Sequence, residues 1–453
     1  MDHLLSEDQL LLAVVKFIKE NKKTELEHLL DELQPYDIAK IYANLPQKFK
    51  TRFLFHLNNN TLADVIQEME DVDLQFEILN KLTVDKKGEV LNLMDNDDLA
   101  SLLHDLPSEK ADSLLKEMKH EESTIVQNIM QYPEETAGRL MTNRFVWIRH
   151  YYTVTEAVEK LKNFAEYAET INYLYVVDEA RKLVGVVSYR DLLLAESHQK
   201  IKDVMYERVI SVSALTDQED AARTLERYDF LALPVVDENN VLLGIVTFDD
   251  MLDVIIKEAE EDIEKLSASG KAIDFDTKAS VAARRRLPWL VLLLIIGIIS
   301  GGIISYFEET LNVVVALAFF MPMITAMTGN TGTQSLALVV RGLAGQEPDR
   351  NAIVKLIVRE FFVSLIIGIV LGIMITLIAY VWQGNMYLGL VVGLSLFGAI
   401  IIGTLSGTVI PLILYRFKID PAIASGPLIT TLNDIFSLLT YFAIATAFLN
   451  KLL

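Results

Sequence analysis

Five long apolar runs fill the chain from Pro288 onward, and no other feature limits the fold so strongly. They extend roughly from Pro288 to Phe307, Leu311 to Val340, Ile353 to Trp382, Tyr387 to Tyr415 and Ala422 to Leu449, each at least the ~20 residues that a helical bilayer crossing needs. Arg284 to Arg286 precede the first run, Arg341, Arg350, Lys355 and Arg359 join the second to the third, and Arg416 and Lys418 join the fourth to the fifth. The alternate loops, at Glu308 and at Gln383 to Asn385, carry no Lys or Arg. The positive-inside rule then predicts a multi-pass protein of the cell membrane, with everything before Arg284 cytosolic and the C-terminus extracellular.

Asp434 lies within the last run, and an ionisable group at that depth is costly unless it faces water or a partner. Thr430, Asp434, Ser437 and Tyr441 follow the spacing that stacks side chains on one helix face, so a polar stripe with a single charge is expected there. Such a stripe suits a cation path. Glu360 follows Arg359 near the cytosolic end of its run, where pairing with that neighbour accounts for it.

Charge separates the two parts of the chain. Of 41 basic and 62 acidic residues, ten and seven lie from Arg284 onward, leaving 31 and 55 before it and a charge near −24 on the soluble part. That acidity argues against nucleic acid as a partner, since its phosphates would be repelled, and favours cations. With no cysteine, thiolate metal sites, disulfides and thiol catalysis are excluded. No P-loop, Gly-x-Gly-x-x-Gly or His-Glu-x-x-His motif is present, so no enzyme activity is expected. Met1 leads directly into charged, helix-patterned sequence without a secretory signal.

The soluble part contains two duplications. Asp37-Ile38-Ala39 leading to Leu45-Pro46 is echoed by Asp98-Leu99-Ala100 leading to Leu106-Pro107, which predicts stacked helical hairpins in a solenoid-like domain. Tyr175-Val176-Val177-Asp178-Glu179 with Gly185-Val186-Val187-Ser188-Tyr189-Arg190-Asp191 is echoed by Pro234-Val235-Val236-Asp237-Glu238 with Gly244-Ile245-Val246-Thr247-Phe248-Asp249-Asp250. Each copy reads as two short buried strands followed by a Ser or Thr and an Asp that open a helix.

This second duplication resembles a tandem pair of CBS domains. The whole order, together with Pro322 to Ser335 containing Gly329-Asn330-Thr331-Gly332-Thr333-Gln334-Ser335 and with Pro427 to Asp434, resembles the MgtE family of magnesium channels. The expected fold is multi-domain. It comprises a helical solenoid-like domain over 1–133, an α/β CBS pair over 134–252 (copies near 141–198 and 204–252), an acidic connecting helix and linker over 253–283, and an all-α domain of five membrane helices over 284–453.

The resemblance implies a homodimer in a lipid bilayer whose pore is formed by Asp434, Gly329, Asn330, Thr331, Gly332 and Gln334. It also implies cytosolic Mg2+ sensing by Asp97, Asp98, Asp217, Glu219, Asp229, Asp250, Asp253, Glu258, Glu261 and Asp262, which would hold the pore shut. ATP is implied at Tyr173, Ser188, Arg190, Asp191 and Phe230, with the aromatics on the base and Asp191 on the ribose. Independently of family, Pro322, Gly329 and Gly332 either free backbone carbonyls or let helices approach, and a broken backbone is tolerated where it lines a hydrated cavity. Hydrated Mg2+ suits a wide site of carbonyl, amide, hydroxyl and carboxylate oxygens.

Two other functions fit the same residues: a cation-coupled secondary transporter, since one intramembrane carboxylate also suits coupling, and a membrane-anchored CBS nucleotide sensor. A wide oxygen-lined site treats hydrated divalents alike, so the choice among magnesium, manganese, cobalt and nickel stays open.

Overall fold

The computed structural model describes residues 6–69, 71–165, 167–269, 273, 277–345 and 349–452. Met1, Leu453 and, within the expected connector over 253–283, residues 270–272 and 274–276 lie outside them. The chain forms two compact units that meet at Ile256 and Lys257.

From Glu7 to Met130 the first unit is a succession of short helices. Helices Pro35–Asn44 and Gln47–Leu54 are joined through Leu45 and Pro46, and Asn96–Asp105 and Ser108–Glu117 through Leu106 and Pro107. In each pair the Leu is buried and extended, with ψ of 134° and 149°. A residue before proline avoids the helical region, while proline is tolerated at a helix start. The repeated Leu-Pro therefore ends one helix and begins the next at the same place in both hairpins.

Two three-stranded sheets follow. The first contains β1 (Phe145–Arg149), β2 (Thr170–Val177) and β3 (Leu183–Ser188), and the second β4 (Val212–Ser213), β5 (Ala232–Val236) and β6 (Leu242–Thr247). Both have one parallel and one antiparallel pairing in the same order. Their registers correspond as the sequence duplication predicts, with Val176 opposite Gly185 and Val235 opposite Gly244. The copies also exchange edge bridges, Thr142 with Ile245 and Val186 with Tyr206. One apolar core runs from Val14 and Phe53 among the helices to Leu233, Val246 and Met251 beyond them.

The acidic helix of the connector, Phe248–Leu266, stops at Leu266, short of Arg284. Ala268 adopts a left-handed φ of 54°, and Ser269 N–H donates to the Glu264 carbonyl at 3.1 Å. This left-handed turn satisfies a carbonyl at the helix end and breaks the helix.

In the second unit, four helices among the described residues are long and apolar enough to cross a membrane: Ala279–Tyr306, Arg350–Gln383, Met386–Arg416 and Gly426–Ala447. Leu317–Gly345 has 29 residues, but the polar run from Thr328 to Ser335 lowers its mean hydropathy and keeps it out of that set. Met386–Arg416 is the most enclosed, burying Val391, Val392, Ser395, Ala399 and Thr404. Ala279–Tyr306 buries no residue within the chain.

Of the two roles open to Pro322, Gly329 and Gly332, freed backbone carbonyls are not seen, because Leu317–Gly345 is one continuous helix. Pro322 lies close to its start, where few intrahelical bonds are lost. Farther along, Thr328 donates to the Ile324 carbonyl at 2.7 Å and Thr333 to that of Gly329 at 3.1 Å, so the hydroxyls are satisfied along the helix itself. The glycines serve the alternative role, close helix approach.

Candidate functional site

Helix Asn96–Asp105 opens with Asp95, Asp97 and Asp98, acids that its N-terminal dipole favours. Arg144 fixes this turn. Its guanidinium donates to the carbonyls of Asn92, Leu93 and Met94 at 3.1, 2.8 and 2.6 Å and pairs with Asp95 at 3.0 Å. Gln67 bridges Asp95 and Asp98, donating to each at 2.8 Å. The Arg144 carbonyl in turn accepts from Glu169 N–H at 2.9 Å and places Glu169 at the start of β2. Thr247, the hydroxyl of the second motif copy, donates to Asp250.

The result is a convergence of acids from three separate stretches. Carboxylate oxygens of Asp97, Glu169 and Asp250 lie within 4.8 Å of one another. Asp97 Oδ1 is buried without a hydrogen-bond partner. Burial, then the charge of Asp250, raises both Asp97 and Asp98 above the usual carboxylate range, Asp98 to about 7. Desolvation and Asp250 push Glu169 up to about 8, and desolvation raises Asp250 to about 6. Such groups strain against one another when charged. A divalent cation relieves that strain, and hard carboxylate oxygens are the donors that Mg2+ takes. A buried acceptor with no donor is what a bound cation satisfies.

The other sensing candidates lie at other places along the chain. Asp217 caps helix Gln218–Arg227 by accepting from Glu219 N–H at 2.9 Å, and the Glu219 carboxylate pairs with Arg223 at 2.7 Å. Asp229 occupies a left-handed turn with φ 53° at the end of the same helix. Asp253, Glu258, Glu261 and Asp262 lie along Phe248–Leu266, where Glu261 pairs with Lys265 at 2.6 Å.

The first motif copy is built differently. Ser188 donates to Asp191 at 2.5 Å and accepts from its N–H at 3.1 Å, and Tyr173 lies opposite Ser188 across β2 and β3. Arg190 is exposed. Phe230 stacks on Tyr228 with centroids 5.5 Å apart. Tyr173, Ser188 and Asp191 thus share one strand end, while Phe230 belongs to the second repeat.

In the membrane unit the Asp434 carboxylate is half-buried, with no hydrogen bond or ion pair among the described residues. Its neighbour Asn433 is fully buried, donating to the Thr328 carbonyl at 3.3 Å and accepting from Ser406, so it ties three helices together. Thr331 is buried and donates to the Thr328 carbonyl at 3.1 Å, whereas Asn330 and Gln334 stand exposed one turn apart. Gly329 lies against Thr430 and Gly332 against Asn433. Within the predicted polar stripe, Tyr441 is buried with its hydroxyl donating to the Leu317 carbonyl at 2.7 Å, and Ser437 donates to the Asp434 carbonyl at 3.0 Å. Glu360 is buried, accepting from Ser335 at 3.2 Å and pairing with Arg359 at 3.1 Å.

Comparison with known proteins matches residues 15–135 to the MgtE intracellular N domain, 137–198 and 201–257 to CBS domains, and 321–444 to the MgtE divalent cation transporter family. The magnesium transporter MgtE of Bacillus subtilis (strain 168) is 57% identical over 98% of both chains. The chain belongs to the MgtE family. Its relative in Enterococcus faecalis, also a magnesium transporter MgtE, is 43% identical over 96% of both chains.

Two solved structures resemble part of the chain. The soluble part of a magnesium transporter is 36% identical with a TM-score of 0.53, covering 56% of this chain and all of that one. The cytosolic domain of the Mg2+ channel MgtE in complex with ATP is 34% identical with a TM-score of 0.52, covering 54% of this chain and 99% of that one. An MgtE helical N domain, a CBS pair and several apolar C-terminal helices are therefore established here.

Glu169 was not foreseen from sequence. It belongs to no charge run and no motif, and only the Arg144 carbonyl that holds it shows why it faces Asp97 and Asp250.

Proposed function

We propose that this MgtE chain is a magnesium channel of the cell membrane, closed by intracellular Mg2+ and modulated by ATP. The observation that carries the reading is the convergence of Asp97, from the helical domain, with Glu169 and Asp250 of the CBS pair. Without metal these carboxylates repel and loosen the two domains. With Mg2+ between them the domains are clamped, and mass action favours the clamped state as internal Mg2+ rises. Asp98 supports the cluster, while Asp217, Glu219, Asp229, Asp253, Glu258, Glu261 and Asp262 supply further acidic surface for Mg2+.

The permeation path is assigned to Asp434 with Gly329, Asn330, Thr331, Gly332 and Gln334. Leu317–Gly345 completes a set of five spans, its polar middle being the composition of a helix that borders water. Two copies related by a two-fold axis would bring two Asp434 carboxylates to one path, as a divalent ion requires. The soluble part is cytosolic and the C-terminus extracellular, with domain limits near residues 133, 252 and 283. ATP occupies the site of the first motif copy, at Tyr173, Ser188, Arg190 and Asp191, with Phe230 supplied by the second repeat. The bound ATP of the related cytosolic domain supports this.

Reconstitution in planar bilayers tests the reading. Currents should reverse at the Mg2+ equilibrium potential and fall as Mg2+ is raised on the cytosolic side. A reversal potential that follows a second cation would instead establish coupled transport.

A further inference from the structure

The stretch of acidic helix belonging to the membrane unit ends in a contact that none of the functions above uses. Lys265 Nζ lies 2.6 Å from Glu261 Oε1 and 2.6 Å from Asp420 Oδ2. The other Asp420 oxygen accepts from Ala422 N–H at 2.8 Å and caps the short turn Pro421–Ile423. That turn leads into Ser425, whose hydroxyl caps Gly426–Ala447, the helix bearing Asp434. A single carboxylate thus holds the connector with one oxygen and the entry to the pore helix with the other.

Packing reinforces the contact. Leu266, the next residue, lies against a buried cluster of Leu336 and Val340 from the Leu317–Gly345 helix with Ala422, Ala424 and Ile429. Burial alone would lower the Lys265 pKa, but its hydrogen bonds to Asp420 and Glu261 outweigh burial and raise it, so the ammonium stays charged. The left-handed turn at Ala268 ends the helix immediately beyond the ion pair, so the connector docks by its last turn instead of passing along the bundle.

We infer that Lys265 is a positioning residue for gating, an internal cation that latches the connector to Asp420 and holds the Asp434 helix in the closed arrangement. Glu261 competes for the same ammonium. A metal ion that drew Glu261 away would leave Lys265 wholly to Asp420 and tighten the latch, while loss of that ion would let the two acids share it. This rests on the Mg2+-gated reading above and specifies the joint through which the connector acts on the pore.

The test is a double-mutant cycle in the full-length protein, with Lys265→Ala, Asp420→Asn, the double variant and Lys265→Arg. Asp420→Asn keeps the oxygen that caps Ala422 and removes the charge. In bilayers, each single variant should raise the internal Mg2+ needed for half-closure by about two- to fivefold, the scale of a partly exposed ion pair. The double variant should shift it no further than either single one, and Lys265→Arg should return it to the wild-type position.

Limited trypsin digestion supplies a readout independent of gating. Asp420→Asn should speed cleavage of the Lys265–Leu266 bond, scored by mass spectrometry, while the other early sites keep their rates. If wild-type currents ignore internal Mg2+, the gating reading fails, and the digestion still decides whether the latch exists. Unshifted closure in both single variants, additive shifts, or unchanged cleavage after Lys265 would overturn the inference.

Discussion

Gly332 lies so close to Asn433 that a Cβ added at 332 would stand 2.1 Å from Asn433 Nδ2. A Cβ on Gly407 would likewise stand 2.1 Å from the Gly332 carbonyl oxygen. Leu317–Gly345 therefore meets both the helix bearing Asp434 and the central helix Met386–Arg416 across a seam of missing side chains, closed by the Asn433 amide.

Gly332→Ala should force this seam apart. Both close neighbours are buried, so the overpacking should cost about 1 to 3 kcal/mol and lower the melting temperature in detergent along with flux. Gly342, where an added Cβ would meet nothing within 4 Å among the described residues, provides the control, and Gly342→Ala should leave melting unchanged.

The value of Gly332 was legible in sequence only as two alternatives, broken backbone or close approach. Choosing between them required the partner. Asn433 to which no role could be attached from sequence, is that partner, and threonine hydroxyls returned to the helix backbone keep Leu317–Gly345 unbroken. The CBS duplication was readable as two like pairs of strands, and the similar motifs do pair in corresponding register. The acid cluster was only partly readable. Asp97 and Asp250 were nominated, but Glu169 depends on a backbone hydrogen bond to Arg144 that leaves no trace in residue spacing. Thr430, Asp434, Ser437 and Tyr441 were correctly spaced for one face, yet helix period does not show that Tyr441 would turn inward to the Leu317 carbonyl.

Asp434→Ala should abolish divalent flux in reconstituted vesicles while leaving the melting temperature close to wild type, since the carboxylate supports no other described residue. Normal flux would remove Asp434 from the path.

Asp191→Ala should weaken ATP binding by roughly 1.5 to 3 kcal/mol, the scale of hydrogen bonds to a charged partner. Asp191 also accepts from Ser188, so calorimetry should be accompanied by a melting curve. Unchanged affinity in a folded variant would place the nucleotide elsewhere.

Proton and metal should compete at the acid cluster. Asp98, Glu169 and Asp250 are raised to about 7, 8 and 6 from ordinary carboxylate values of 3.8 and 4.5, so the folded state binds more protons than the unfolded one. Their contribution to stability is therefore complete below about pH 4 and lost as pH rises toward about 8. The metal-free protein should melt lower across that interval. Added Mg2+ should raise the melting temperature more at about pH 8 than at about pH 5, because metal needs the deprotonated carboxylates. An equal Mg2+ effect at both would contradict the cluster as its site.

The most direct test of the account is the dependence of channel closure on internal Mg2+ in excised patches, comparing wild type with Asp97→Asn, Asp250→Asn double-variant channels. Removing two carboxylates both eliminates metal ligands and relieves repulsion, and the two effects move closure in opposite directions. If metal bridging holds the closed state, half-closure should require about tenfold more Mg2+ or more, equivalent to at least about 1.4 kcal/mol, with permeation intact. Closure at the wild-type concentration, or at lower Mg2+, would contradict the account and reduce the cluster to crowded acids that hold no regulatory ion.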